Sequence, residues 1–191
     1  MTELPLTTDA AFENIDYAEH PLPHGEYENC TFTNCTLHHA DLSGFVFRGC
    51  AFTACDFSLA TVRNTTFRDA RFTECKLMGV HFDTCNKLLL TVEFDACMLK
   101  HSTFHKLALK KTRFAGCTLH DADFTDADLT QSVFDRCDLL NAQFDRTTLR
   151  QADLRTSFNY IIDPEKNNVK KARFSLSGVV GLLQKYDVVV E

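Results

Sequence analysis

Every cysteine in this chain falls at the same place in a five-residue cycle. Cys30, Cys35, Cys50, Cys55, Cys75 and Cys85 are separated by multiples of five. Cys97, Cys117 and Cys137 keep that step two residues out of phase. The large apolar residues follow the same clock two positions later. From Phe12 the step reaches Tyr17, Leu22, Tyr27, Phe32, Leu37, Leu42, Phe47, Phe52, Phe57, Val62, Phe67, Phe72, Leu77 and Phe82. It resumes at Leu89 and runs through Phe94, Leu99, Phe104, Leu109, Phe114, Leu119, Phe124, Leu129, Phe134, Leu139, Phe144 and Leu149 to Leu154. All 29 positions are apolar, and 26 are Phe or Leu. At 45% apolar composition, chance gives such a series roughly once in ten billion. A period of five fits neither a helix nor a flat strand, so the chain has to be a repeat architecture.

The unit is a small residue, a polar residue, Phe or Leu, then two polar residues. ADLSG at 40–44, ADFTD at 122–126 and ADLTQ at 127–131 are clear copies. They resemble the pentapeptide-repeat family over about three-quarters of the chain. The resemblance implies an all-β fold, a right-handed quadrilateral parallel β-helix with four five-residue sides per coil. One small and one large residue of each unit then point inward, and stacked coils supply the core that a single coil lacks. A four-sided coil stacks residues 20 apart. Phe32, Phe52, Phe72, Phe94, Phe114 and Phe134 then form one column, and Cys35, Cys55, Cys75, Cys97, Cys117 and Cys137 another. Both require the two-residue slip at 83–88, around Asn86, Lys87 and Leu88, to be absorbed as a bulge. At about 4.8 Å per coil, residues 12–154 make about seven coils and a rod on the order of 35 Å long.

The nine cysteines read as structural thiols, since Ala and Ser fill the equivalent slot at Ala60, Ala70, Ala122, Ala127, Ser132 and Ala142. With no CxxC pair, no metal is expected. The odd count, with no signal peptide and no 18-residue apolar run, points to the cytoplasm and away from membranes. The eight histidines fall mostly on outward slots and form no ligand motif. A packed solenoid has no lumen and the chain no catalytic motif, so no enzyme activity, catalytic residue or cofactor is expected.

Three regions follow. Residues 1–24 are read as an N-terminal cap with the first repeats, Pro21 and Pro23 removing donors at an open β-helix end. Residues 25–158 are the β-helix. Residues 159–191 are a loop at Asp163, Pro164, Asn167 and Asn168, a segment closing the last coil at Phe174, and a short helix that Ser177 can cap. Val179, Leu182, Leu183 and Tyr186 form one apolar stripe of that helix. Val188, Val189 and Val190 read as a strand. With Gly178 and Gly181, so short a helix would not hold alone.

The net charge is −6, unevenly placed: −6 over 1–82, +3 over 83–119, −5 over 120–154 and +2 over 155–191. The third segment carries Asp121, Asp123, Asp126, Asp128, Asp135, Asp138, Asp145 and Asp153 on outward slots, a candidate acidic partner-binding face. Such a chain is not expected to bind nucleic acid directly, because a phosphate-binding surface should be basic. Lys100, Lys106, Lys110, Lys111 and Arg113 are the exception, read as a partner contact or a solubilising face.

The run NYIIDPEKNNVKKARFSLSGVVGLLQKYDVVV at 159–190 resembles the topoisomerase-protecting branch of the family. That branch includes Qnr, MfpA, McbG and the albicidin-resistance protein. The resemblance implies a rod-shaped homodimer joined through Val179, Leu182, Leu183, Tyr186, Val188 and Val190. It further implies binding to DNA gyrase or topoisomerase IV by mimicry of DNA, with protection from quinolone-, albicidin- or microcin-type inhibitors. The chain departs from the long-looped members, having only the short slip. The alternative reading is a generic solenoid scaffold for another protein partner.

Overall fold

The structure is a computed structural model describing residues 4–189. The chain is wound into a parallel β-solenoid whose strands are three or four residues long. The strands are β1 (Leu6–Thr8), β2 (Ala11–Glu13), β3 (Glu26–Glu28), β4 (Thr31–Thr33), β5 (Val46–Arg48), β6 (Ala51–Thr53), β7 (Thr66–Arg68), β8 (Ala70–Thr73), β9 (Val92–Asp95), β10 (Arg113–Ala115) and β11 (Val133–Asp135). One sheet has the order β1-β3-β5-β7. The other has the order β2-β4-β6-β8-β9-β10-β11, so its seven strands span six turns. Single bridges extend it from Val133 to Asp153 and on to Arg173.

Four ladders run along the rod. Side one carries the Phe32–Phe134 column and side two the column of Tyr17, Leu37 and Phe57. Side three carries Leu22, Leu42 and Val62, and side four Tyr27, Phe47 and Phe67. Pairing is 20 residues apart before the slip, as in Phe52 with Phe72, and 22 across it, as in Phe72 with Phe94. The bulge takes the form of two 3-10 turns, Phe82–Thr84 and Lys87–Leu89. Asn86 holds it together, accepting from the Leu88 N–H at 3.2 Å and donating to Thr66 Oγ1 at 3.1 Å. Leu88 points into solvent.

The interior is a lattice of rings. Successive rings of the Phe32–Phe134 column stack at 4.8–5.4 Å, and Phe82, Phe104, Phe124 and Phe144 stack at 5.0–5.3 Å. Neighbouring columns meet edge to face, as Phe104 does Phe114 at 5.9 Å and 85°. Both are the favoured geometries of aromatic quadrupoles.

The cysteine slot does more than fill space. All nine thiols are free and buried. Cys55 donates to the Phe32 carbonyl at 3.3 Å, Cys75 to Phe52 at 3.4 Å, Cys97 to Phe72 at 3.3 Å and Cys137 to Phe114 at 3.4 Å. Hydroxyls make the same bond elsewhere in the slot, from Ser102 to Leu77 and from Thr147 to Phe124. Most of the polar small residues therefore satisfy carbonyls of the coil before them, which alanine cannot do. Burial pushes the Cys50 thiol up to about 11 and that of Cys85 to about 12, so both stay protonated.

The corners rest on a feature the repeat hides. The Ala40 N–H donates to the Leu37 carbonyl at 3.0 Å, with His39 at φ +56° between them. Leu59, Asp121 and Gln151 hold the same place in later corners. A left-handed residue costs about 1–2 kcal/mol unless it is glycine. Gly49, at φ +62°, has a second reason, since a Cβ there would lie 2.5 Å from Asn29 Oδ1.

Both ends carry rungs of the ladder. The solenoid already starts at β1, where Leu6 pairs with Glu26. At the other end, Thr148 bridges Asn168 and Asp153 bridges Arg173, so Phe174 does close a further partial coil. Asn167, expected in a loop, occupies the small inward slot. It is buried, accepts from the Thr147 N–H at 2.8 Å and donates to the Phe144 carbonyl at 2.9 Å.

Phe114→Asp is expected to abolish the fold, because it places an unpaired carboxylate inside the ring column. Circular dichroism of the purified variant checks this, and a soluble protein with an unchanged β spectrum would contradict the column.

Candidate functional site

Three features carry candidate function: the aspartates of 121–153, the slip, and the C-terminal segment. The aspartates do not form one face. Asp135 and Asp153 lie on side one, Asp121 and Asp138 on side two, Asp123, Asp126 and Asp145 on side three, and Asp128 on side four. Their separate ladders show it: Asp123 pairs with Thr103, Asp128 with Ala108, Asp138 with Thr118 and Asp153 with Val133. They make a girdle, because a four-sided coil sends consecutive units to different sides.

Most of the girdle is neutralised by stacked cations. Arg146 grips Asp126 at 2.8 and 3.1 Å and also pairs with Asp145. Arg113 reaches Asp135 at 3.2 Å, Lys110 reaches Asp128 at 3.2 Å and Arg155 reaches Asp153 at 2.7 Å. His120 lies 2.8 Å from Asp138. These pairs join residues 18–22 apart or close neighbours, so most are invisible without the stacking. The hydrogen bond from Arg146 holds the Asp126 carboxyl below the usual range, and that from Arg155 does the same for Asp153. At Asp138 burial pushes the other way, but hydrogen bonds from His120 and Asn159 prevail and the pKa is lowered.

The Lys100–Arg113 cluster is also dispersed. Lys100 lies on side two, Lys106 at the corner of sides three and four, Lys110 and Lys111 on side four and Arg113 on side one. Stacking sets Arg113 beside Asp135 and Lys110 beside Asp128.

At the C-terminus, α1 covers only Val180–Leu183, followed by a 3-10 turn at Gln184–Tyr186. Ser177 does not cap it; instead Ser175 Oγ accepts from the Gly178 N–H at 2.9 Å. The two glycines are there for close packing on Tyr160. A Cβ at Gly178 would lie 2.0 Å from Tyr160 Oη, and one at Gly181 would lie 2.1 Å from the Tyr160 carbonyl oxygen. The Ile162 N–H donates to the Gly181 carbonyl at 3.1 Å. Lys185 bridges Asp163 and Glu165 at 2.6 and 2.7 Å, and Tyr186 donates to Glu165 at 2.8 Å. The helix is thus clamped on its own last coil.

Of the residues expected at a dimer contact, Val179, Leu182 and Leu183 are half-buried, and Leu182 packs on the core. Tyr186 and Val188 are exposed, as are Leu176, Val180 and Val189. Val188 and Val189 are not in a strand, because a terminal strand needs a neighbour to bond to. Val190 lies outside the described residues. Among the described residues, no group of His, Cys, Asp and Glu is arranged to hold a metal ion, and no helix is long and apolar enough to cross a membrane.

Four five-residue sides per coil, small and large inward slots and a left-handed corner define a pentapeptide-repeat solenoid. The family model described as "Pentapeptide repeats (9 copies)" matches residues 27–76, and that described as "Pentapeptide repeat region" matches 76–154. The chain belongs to the pentapeptide-repeat family. Its fold is similar to that of trypsin-treated QnrB1, described as a plasmid-mediated fluoroquinolone resistance protein. The TM-score is 0.61 at 20% identity, over 95% of this chain and 99% of that one. Full-length QnrB1 matches with a TM-score of 0.51 at 20% identity, over 96% of this chain and 100% of that one. HetL from the cyanobacterium Nostoc sp., described as involved in heterocyst differentiation regulation, also gives 0.51. Its identity is 14%, over 90% of this chain and 87% of that one. No curated protein sequence matches the chain.

The lowered aspartate pKa values fix the sign of the acid response. Carboxyls depressed in the fold contribute stability above the unfolded value, about 3.9, and lose it as pH falls through the folded value. The urea midpoint is expected to stay flat from about pH 7 to 5 and to drop below about 4. A midpoint that rises on acidification would contradict the pairing.

Proposed function

We propose that this chain is a non-enzymatic homodimeric rod that binds DNA gyrase or topoisomerase IV and modulates or protects it from quinolone-, albicidin- or microcin-type inhibitors. The observation that carries this reading is the clamped C-terminal segment behind a nearly loop-free solenoid. Its helix is fixed by Tyr160 and the Lys185 bridges, yet it leaves Val180, Val188 and Val189 in water. A segment held rigidly with its apolar side exposed suits a two-fold contact, which also covers an open β-helix end. The extent of the fold similarity to QnrB1 supports the topoisomerase assignment.

The girdle of aspartates would serve the partner contact. Charge spread around a cylinder resembles a duplex more than a single acidic face does. Exposed ion pairs are worth about 0–1 kcal/mol each, so cationic groups of a DNA channel can displace Arg146 or Arg155 at little cost. Complementary fields would speed association. The match to HetL favours a second reading, a scaffold for a different protein partner.

In a gyrase supercoiling assay inhibited by a fluoroquinolone or albicidin, the purified protein is expected to restore or alter supercoiling at micromolar concentration or below. No effect on gyrase or topoisomerase IV would leave the scaffold reading. For the dimer, Val180→Arg with Val188→Arg is expected to halve the mass seen by light scattering while leaving the β spectrum intact. An unchanged mass would place the contact elsewhere.

A further inference from the structure

Side four differs from its neighbours in what its cations do. Side one carries Arg71, Arg113, Arg136, Arg155 and Arg173. Each pairs with Glu93, Asp135 or Asp153 at 2.7–3.8 Å. After the slip, side four carries Lys110, Lys111, Arg150, Lys170 and Lys171, all exposed. Lys110 is paired with Asp128. Among the described residues, the other four enter no ion pair.

Stacking collects these residues from far apart in sequence. The Lys111 N–H donates to the Thr130 carbonyl, that of Gln131 to Arg150, and that of Gln151 to Lys170, at 2.8–3.1 Å. Lys110, Arg150 and Lys170 therefore lie in one line parallel to the rod. Arg150 and Lys170 occupy adjacent rungs, about 4.8 Å apart, and the line spans about 14 Å. Like charges on adjacent rungs repel and destabilise a sheet. The chain has spare carboxylates at net −6, and the same register on side one brings acid beside base. On side four it brings Arg150 beside Lys170, with neutral Thr130, Gln131 and Gln151 nearby and Asp128, held by Lys110, as the acid of that strip.

A strip of exposed cations, four of them without an ion-pair partner among the described residues, suits a polyanion of closely spaced charges. A duplex carries a phosphate on each strand every 3.4 Å or so of its axis, so a strip about 14 Å long faces several phosphates. The strip has no exposed aromatic side chain to stack an unpaired base, which favours backbone contact over single-strand capture or base readout. We propose that the C-terminal half of side four binds the phosphate backbone of double-stranded nucleic acid without regard to sequence. This goes beyond the topoisomerase reading and does not rest on it.

Fluorescence anisotropy with a labelled DNA duplex of about 20 base pairs tests it, titrated from about 50 to 200 mM KCl. About five contacts predict a slope near −4.5 in log affinity against log salt, with micromolar binding at the low end. The triple variant Lys111→Glu, Arg150→Glu, Lys170→Glu is expected to lose at least about tenfold in affinity and to flatten the slope to about −2. A control with the same net charge, Arg113→Glu, Arg136→Glu, Arg155→Glu on side one, is expected to stay within about twofold of the parent. Circular dichroism checks that both variants keep the fold. Three outcomes would overturn the proposal: equal losses in the two variants, no duplex binding at 50 mM KCl, or binding to phosphatidylserine vesicles without binding to the duplex.

Discussion

The rung-to-rung backbone hydrogen bond is the constraint on which the rest depends. Outside the corners, each coil satisfies its amides and carbonyls through the coils on either side, as when Thr118 donates to Cys97 of the coil before and Leu119 donates to Asp138 of the coil after. That bond fixes the spacing, and the spacing forces like onto like. Phe must stack on Phe, thiol must follow thiol and every corner must repeat its turn. The left-handed corner residues cost energy at each coil, and ring stacking with two-sided burial offsets it. The slip tests the rule. Two extra residues were absorbed in a local pair of 3-10 turns because breaking the register would have misaligned every column beyond it.

The interior was legible in the sequence because inward slots tolerate few residue types. The five-residue clock gave the columns, the thiol slot and the place of the slip. Other features were not legible. Leu59, Lys106 and Arg136 adopt left-handed corners although their side chains do not favour that region, so composition conceals the turn. The thiols look interchangeable with alanine until their carbonyl partners are seen. Asn167 reads as a loop residue because its amide replaces a thiol only through tertiary hydrogen bonds. Gly178 and Gly181 look like weak helix formers, yet Tyr160 requires them.

Charge was the least legible property, for a geometric reason. Neighbours in sequence occupy different sides, whereas neighbours in space are 20 or 22 residues apart. The eight aspartates of 121–153 therefore became a girdle, and the basic cluster of 100–113 came apart. Conversely, Lys110, Arg150 and Lys170 came together. Net charge averages over four surfaces with different chemistry: one where acids and bases cancel rung by rung, and one where bases accumulate. A rod of this kind can present different partners with different sides.

The most direct test of the account is whether the register holds across the slip, and phenylalanine-labelled NMR measures it. The account predicts ring-to-ring nuclear Overhauser contacts between Phe72 and Phe94, and a hydrogen bond from the Glu74 amide to the Asp95 carbonyl. Contacts from Phe72 to a residue 20 positions on, or two halves that exchange with solvent independently at residues 86–89, would contradict it.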